Sequence, residues 1–255
     1  MNLNFETKLA ESYTSNSQKA RVLTEAWVLN EIYCPNCGDN ICNYNNNKPV
    51  ADFYCKKCSE DFELKSKQGN FVTKVPAGSY YKIIKRINSP QKPNFFFMSY
   101  KIEIQNINYF FVVPKYFFIT EIIEKRSPLT NNAKRSGWIG SNILFSKIPK
   151  AGQIFYVENG KEIDKKVVLS KWQKTIFLKQ IKKRSAKGWI LDIMNCIDLL
   201  NKKEFHLSDI YYFEKDLSVN HHENKNIKPK IRQQLQILRN RGYLEFLGNG
   251  VYKLS

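Results

Sequence analysis

Val50-Ala51-Asp52-Phe53-Tyr54-Cys55-Lys56-Lys57-Cys58-Ser59-Glu60-Asp61-Phe62-Glu63-Leu64-Lys65-Ser66-Lys67 reads as two strands joined through a Cys-x2-Cys knuckle. In the second strand side chains alternate between faces. Phe62 and Leu64 point one way, and Glu63, Lys65 and Lys67 the other. A Glu and a Lys two apart on one strand face are aimed at the same space, and Asp52 joins them across the hairpin. Two carboxylates suit magnesium, a hard cation that takes oxygen ligands and keeps several waters. Asp52 and Glu63 are the candidate ligands, with the backbone carbonyl of Leu64 as a third. Such a cation neutralises charge on a scissile phosphate and acidifies its own water, which Lys65 orients or helps deprotonate. A solvated hairpin with alternating charges has the same spacing, and spacing alone leaves both readings open.

The knuckle has a mate. Cys34-Pro35-Asn36-Cys37 and Cys55-Lys56-Lys57-Cys58 are separated by seventeen residues, within the range of about fifteen to twenty expected of a two-knuckle zinc site. Four thiolates so placed close tetrahedrally on Zn2+, and because no coordination position stays open the site is structural. Gly38 follows the first pair, where a tight turn gains from a residue without Cβ. Cys42 is a spare between the pairs. Cys196 falls at helical spacing among Ile190, Ile193, Ile197 and Leu200 and reads as core.

Around the hairpin, residues 17–32 have helical spacing with a serine as candidate cap. A helix is expected over Tyr80–Ile87, and buried strands over Phe95–Lys101 and Tyr109–Val113. Lys82, Lys85 and Arg86 on that helix are candidates for phosphate contact or for a solvated face. This order gives an α/β core with a mixed sheet. Arg126 to Ser146 reads as a long polar loop suited to DNA contact. Arg135 is its basic candidate, and Trp138 either walls an apolar slot or stacks on a base, with a core tryptophan as the alternative. Lys67 completes the DNA candidates of this region.

Lys182 to Gly188 reads as a basic linker dividing residues 1–182 from 183–255. Beyond it come a helix over Trp189–Leu200, a second helix starting at Leu207 with Ser208 as cap, and a loop with His221 and His222 that reads as simply polar. A basic third helix over Ile227–Arg241 ends at Gly242. Tyr243–Leu247, Gly248-Asn249-Gly250 and Val251–Leu254 form a hairpin. Three helices and a hairpin make a winged helix-turn-helix, whose third helix enters the major groove. Lys228, Lys230, Arg232, Gln233 and Gln236 are its candidates for DNA contact, though not all can face DNA at once.

The charge fits such a partner. Forty-one Lys and Arg stand against 23 Asp and Glu, a net charge of +18, which points to a polyanion. Coding biased toward Asn, Ile, Phe, Tyr and Lys would also raise this excess. The longest apolar runs, Phe95–Met98 and Tyr109–Val113, are too short to span a bilayer. Met1 to Glu6 has neither a basic n-region nor an apolar h-region, so no membrane role and a cytoplasmic location are expected.

Asp52 followed at a distance by Glu63-x-Lys65 resembles the signature of PD-(D/E)xK nucleases, although Pro49-Val50-Ala51-Asp52 displaces the proline from its place before the aspartate. Other stretches narrow the resemblance: Ser15-Asn16-Ser17-Gln18-Lys19-Ala20-Arg21, Tyr33-Cys34-Pro35-Asn36-Cys37-Gly38, Gly137-Trp138-Ile139-Gly140 and Lys230-Ile231-Arg232-Gln233-Gln234-Leu235-Gln236-Ile237-Leu238-Arg239. With the hairpin, they resemble the DpnI family of methyl-directed (type IIM) restriction endonucleases from end to end. The resemblance implies hydrolysis of double-stranded DNA at GATC whose adenine carries an N6-methyl group. It also implies that Asp52, Glu63 and Lys65 are the catalytic triplet and that Cys34, Cys37, Cys55 and Cys58 hold zinc. Adenine-methylated duplex is the expected partner, and a monomer the expected state in solution. A non-catalytic zinc and winged-helix regulator, or a repair nuclease of the same fold, shares the charge, the zinc and the helices. Asp52 with Glu63-x-Lys65 separates both nucleases from the regulator, and the end-to-end resemblance separates the two nucleases.

Overall fold

The computed structural model describes residues 1–44, 51–69, 73–101 and 106–255. Two compact units result. The first comprises residues 1–146 and 151–173, and the second residues 147–150 and 174–255.

The first unit runs α1 (Asn16–Glu31), β1 (Cys42–Asn43), β2 (Phe53–Tyr54), β3 (Asp61–Gln68), β4 (Lys74–Ser79), α2 (Tyr80–Ile87), β5 (Asn94–Lys101), β6 (Asn106–Val113), β7 (Ile123–Pro128), β8 (Ile139–Leu144), β9 (Ile154–Glu158), β10 (Lys161–Glu162) and α3 (Lys165–Thr175). Its main sheet has the order β1-β2-β3-β5-β6-β9-β10. The β3–β5 pair is parallel, with Glu63 opposite Phe95 and Lys65 opposite Phe97. The other pairs of this sheet are antiparallel, so the sheet is mixed, as expected. A parallel pair needs a crossover, and β4 with α2 supplies it.

β5 is buried along seven consecutive residues, Asn94 to Tyr100, as a strand covered on both faces should be. Phe96 stacks on Phe62 at 4.6 Å and meets Phe110 at 5.1 Å, and Trp27 of α1 packs edge-on against Phe110. On the other face Phe97 meets Phe111 and Phe145, and Phe95 meets Phe118. Glu63 and Lys65 alternate with Phe62, so they lie on this second face.

Several expectations need correction. The region Arg126–Ser146 is not one long loop. β7 and β8 pair, and β8 also pairs with β4 in a sheet of order β4-β8-β7. Only residues 129–138 form a loop. The polarity of β8 misleads because two polar residues face inward with partners: Ser141 Oγ donates to Gly78 O at 2.9 Å, and Asn142 donates to Glu124. The strand expected from Val50 is, among the described residues, only Phe53–Tyr54, and Pro49 and Val50 lie outside those residues. The helix expected over 17–32 starts at Asn16, and Ser15 makes no side-chain cap bond.

The second unit runs α4 (Arg184–Leu200), β11 (Glu204–His206), α5 (Leu207–Tyr211), α6 (Glu214–Asn220), α7 (Ile227–Asn240), β12 (Leu244–Gly248) and β13 (Val251–Leu254), with a small sheet of order β11-β13-β12. The expected linker is shorter than residues 182–188, because α4 begins at Arg184. The second helix is split into α5 and α6, and β11 was not expected. His206, not Ser208, caps α5, since Asp209 Oδ2 accepts the His206 N–H at 2.9 Å. The apolar stripe of Ile190, Ile193, Ile197, Ile231, Leu235 and Leu238 is buried. Gly242, at φ +71°, ends α7 in a conformation that suits glycine. Among the described residues no helix is long and apolar enough to cross a membrane.

Candidate active site and its metal staple

The four knuckle sulfurs lie within 4.8 Å of one another, with Cys34 to Cys58 at 3.4 Å and Cys37 to Cys55 at 3.5 Å. Zinc–sulfur bonds of about 2.3 Å in a tetrahedron put sulfurs roughly 3.8 Å apart, so the donor set fits Zn2+. Burial pushes the Cys34 thiol well up, a cost that a cation among the sulfurs removes. Cys42, on β1, pairs with Tyr54 of β2 and is not in the cluster.

The two knuckles are built alike. Cys34 N–H donates to Asp39 O and Gly38 N–H to Cys34 O. Cys55 N–H donates to Glu60 O and Ser59 N–H to Cys55 O. Gly38 and Ser59 both have positive φ, +76° and +57°. A serine there pays a Cβ penalty that glycine avoids, so Ser59→Gly is expected to raise stability by about 0.5–1 kcal/mol. An unchanged or lower thermal midpoint of the metal-loaded protein would contradict this.

Residues far along the chain brace the first knuckle. Trp172 Nε1 donates to Asn36 Oδ1 at 3.1 Å, Gln173 Nε2 to Asn36 O at 3.1 Å, and Lys165 Nζ to Gly38 O at 2.8 Å. Cys58 is itself penalised by burial, but hydrogen bonds from Asn36, from the Glu60 backbone and among the thiols draw its pKa below the ordinary value. Beside the second knuckle, buried Glu60 binds Lys115 Nζ at 2.8 Å and Asn94 Nδ2 at 2.9 Å. Asn94 also reaches Asp61 O and the Lys115 N–H, which ties the knuckle to β5.

Downstream of this staple the structure brings Asp52, Glu63 and Lys65 together. Asp52 stands just before β2. Its N–H donates to Phe62 O, and its Oδ2 accepts the Leu64 N–H at 2.7 Å. Glu63 Oε1 lies 2.5 Å from Lys65 Nζ, and Oε2 lies 2.9 Å from Arg86 Nε of α2. Burial holds the Asp52 carboxyl above its ordinary range. The Leu64 N–H and Lys65 oppose this shift, whereas the Glu63 charge adds to it. Glu25 and Arg21 of α1 also act on Asp52 through their charges, and neither was singled out from the sequence as a site residue. Asp52 and Glu63 form an all-oxygen donor pair that fits a hard divalent cation, and here Lys65 and Arg86 supply the positive charge at Glu63.

Glu63, Lys65, Lys82, Lys85, Arg86 and Phe95 line part of a cleft of about 620 Å³. Lys82 and Lys85 therefore face the cleft, while Arg86 is held by Glu63. Lys67 shares the strand face of Glu63 and Lys65 and is half-buried.

In the loop joining β7 to β8, Trp138 is half-buried and its indole lies against Gly140, with the Arg135 guanidinium 4.9 Å from the ring centroid. It is half-exposed and not a core tryptophan. A Cβ at position 140 would fall 2.8 Å from the indole. Gly140→Ala is expected to displace Trp138 and destabilise the protein by about 1–3 kcal/mol. An unchanged melting midpoint would mean that the loop yields without cost.

In the second unit the exposed face of α7 carries Lys228, Arg232, Gln233, Gln236 and Arg239. Arg232 Nη1 donates to Tyr211 Oη at 2.8 Å, and Lys228 Nζ lies 3.4 Å from Glu214. Lys230 is half-buried on the flank of this face and donates to Gln233 Oε1 at 2.8 Å. His221 is not merely a polar loop residue. It stacks on Trp189 at 3.8 Å, and its Nε2 lies 2.8 Å from Asp192 Oδ2.

The sequence model of a family described as DpnI, Dam-replacing, matches residues 1–181, and that of the Dam-replacing HTH domain matches residues 185–254. The chain belongs to the DpnI, Dam-replacing family. The family is one of methyl-directed restriction nucleases, so this chain is a DNA-cleaving enzyme with a DNA-binding helix-turn-helix in its second unit. The two matched spans meet near the start of α4.

Proposed function

We propose that this Dam-replacing enzyme hydrolyses double-stranded DNA at G-N6-methyladenine-T-C, as a type II enzyme that requires Mg2+. The observation that carries the reading is that Glu63 and Lys65 line a lysine-lined cleft, with Asp52 bonded to the Leu64 N–H between them, in a chain of this family. Residues 1–182 would cut, and residues 183–255 would read DNA through Lys228, Lys230, Arg232, Gln233 and Gln236. Lys67, Arg135 and Trp138 are the DNA contacts assigned to the cutting domain. Zn2+ held by Cys34, Cys37, Cys55 and Cys58 is structural. The enzyme is taken to act in the cytoplasm as a monomer, on adenine-methylated duplex.

Asp52 and Glu63, with the Leu64 carbonyl, would hold the magnesium. When bound, it would offset charge on the scissile phosphate and lower the pKa of a coordinated water. Glu63 keeps the Lys65 ammonium at the cleft, where it directs the attacking water. Arg86 fixes the other Glu63 oxygen, so the carboxylate does not swing with the strand's side-chain freedom. Lys82 and Lys85 attract the phosphate backbone toward that point.

The test compares plasmid from adenine-methylating and non-methylating cells, incubated with the enzyme and Mg2+. Cutting of methylated plasmid alone is expected. Equal cutting of both would indicate a repair-type nuclease, and binding without cutting would indicate a regulator.

A further inference from the structure

A second cleft lies within the helix-turn-helix unit, where α4 and α7 begin. It encloses about 690 Å³, and its lining includes Lys183, Lys225, Lys230, Trp189, His221 and Glu223. Three ammonium groups stand against one carboxylate, and among the described residues Glu223 forms no ion pair with any of them. One wall is rigid. His221 lies flat on buried Trp189 and is held by Asp192, both from α4. That contact anchors the start of the loop that carries Lys225 and leads into α7. Trp189 is only 4% exposed, so it cannot itself stack on a base.

We propose that this cleft binds the sugar-phosphate backbone of the duplex beside the bases met by α7. The inference rests on the reading of α7 as the DNA-facing helix. Continuity with that face supports the choice of occupant. Lys230 lines the cleft and at the same time bonds Gln233 on the exposed face of α7. A duplex lying along α7 would pass the Lys230 side of the cleft, and its phosphodiester chain would offer a row of negative charges to the three lysines. The cleft holds the register of the duplex and carries no sequence information, as backbone contacts do. It distinguishes methylated from unmethylated DNA no better than any other phosphate contact.

The test uses the zinc-loaded full chain without Mg2+, so that DNA is bound and not cut. Affinity for methylated and unmethylated duplexes is measured over a range of salt concentrations. The triple variant Lys183→Ala, Lys225→Ala, Lys230→Ala is expected to bind both duplexes more weakly. Its plot of log affinity against log salt should be shallower by about one for each phosphate that is no longer neutralised. The ratio of the two affinities should stay at the parent value. Lys225→Glu, a single change on an exposed loop, should weaken both duplexes in the same way and serves if the triple variant melts early. Arg232→Ala with Gln236→Ala is measured in parallel. If that pair weakens binding while the cleft variants keep the parent slope and affinity, the cleft proposal is overturned and the reading of α7 stands. If neither set weakens binding, both are overturned. A changed methylated-to-unmethylated ratio in the cleft variants would overturn the assignment to backbone alone.

Discussion

Lys65→Ala is expected to lower the rate of DNA cleavage by about two to four orders of magnitude, the range for losing a positioned proton-transfer group or charge stabiliser, while duplex affinity changes little. The separation follows from geometry. Lys65 is one cation in a cleft that also presents Lys82 and Lys85, and the second unit carries its own basic face. The contact of Lys65 with Glu63 does not hold the fold alone, because Arg86 remains on the other oxygen. Asp52→Asn is the sharper companion. An asparagine oxygen still accepts the Leu64 N–H that Asp52 receives at 2.7 Å, so the hairpin keeps its backbone contact while losing an ionised ligand. Both variants should melt near the parent and bind DNA. Retained cleavage in either would remove the residue from the catalytic set, and loss of binding together with cleavage would indicate a hairpin that merely touches DNA.

The second large effect is expected at the zinc site. Cys34→Ser or Cys58→Ser should yield insoluble or unfolded protein, and chelation of the parent should unfold the first unit while releasing about one zinc per chain. Structural zinc contributes on the order of 10–16 kcal/mol in peptides that depend on it, more than the roughly 5–15 kcal/mol that separates a folded domain from its unfolded chain. Cys42→Ser is the control. Cys42 lies outside the cluster, so zinc content should not change. A soluble, fully active Cys58→Ser chain would overturn the structural assignment.

The site was legible where chemistry imposes a spacing. The paired knuckles were readable because four ligands must converge on one ion, and the Glu63–Lys65 face because a strand alternates with period two. β5 was readable because a strand buried on both faces has nowhere to place charge. Other parts were hidden for identifiable reasons. β8 places Ser141 and Asn142 inside, where partners from β4 and β7 satisfy them, so its composition looks like loop. α3 buries only a narrow stripe with Val168 and Trp172 and did not announce itself among polar and charged neighbours. The influence of Glu25 on Asp52 and the stacking of His221 on Trp189 are tertiary facts, with partners 27 and 32 positions apart in the chain. Nothing in the local sequence marks either.

The bracing of the first knuckle by α3 has a consequence for the timing of synthesis. Asp52, Glu63, Lys65 and the cleft-lining part of α2 are encoded within residues 52–86, yet Asn36 takes hydrogen bonds from Trp172 and Gln173, and Gly38 takes one from Lys165. A growing chain has these residues outside the ribosome long before the last of these props emerges. Until then the knuckle that anchors the β2–β3 turn lacks its outer support. A chain interrupted before α3 therefore lacks three of the hydrogen bonds that hold the first knuckle.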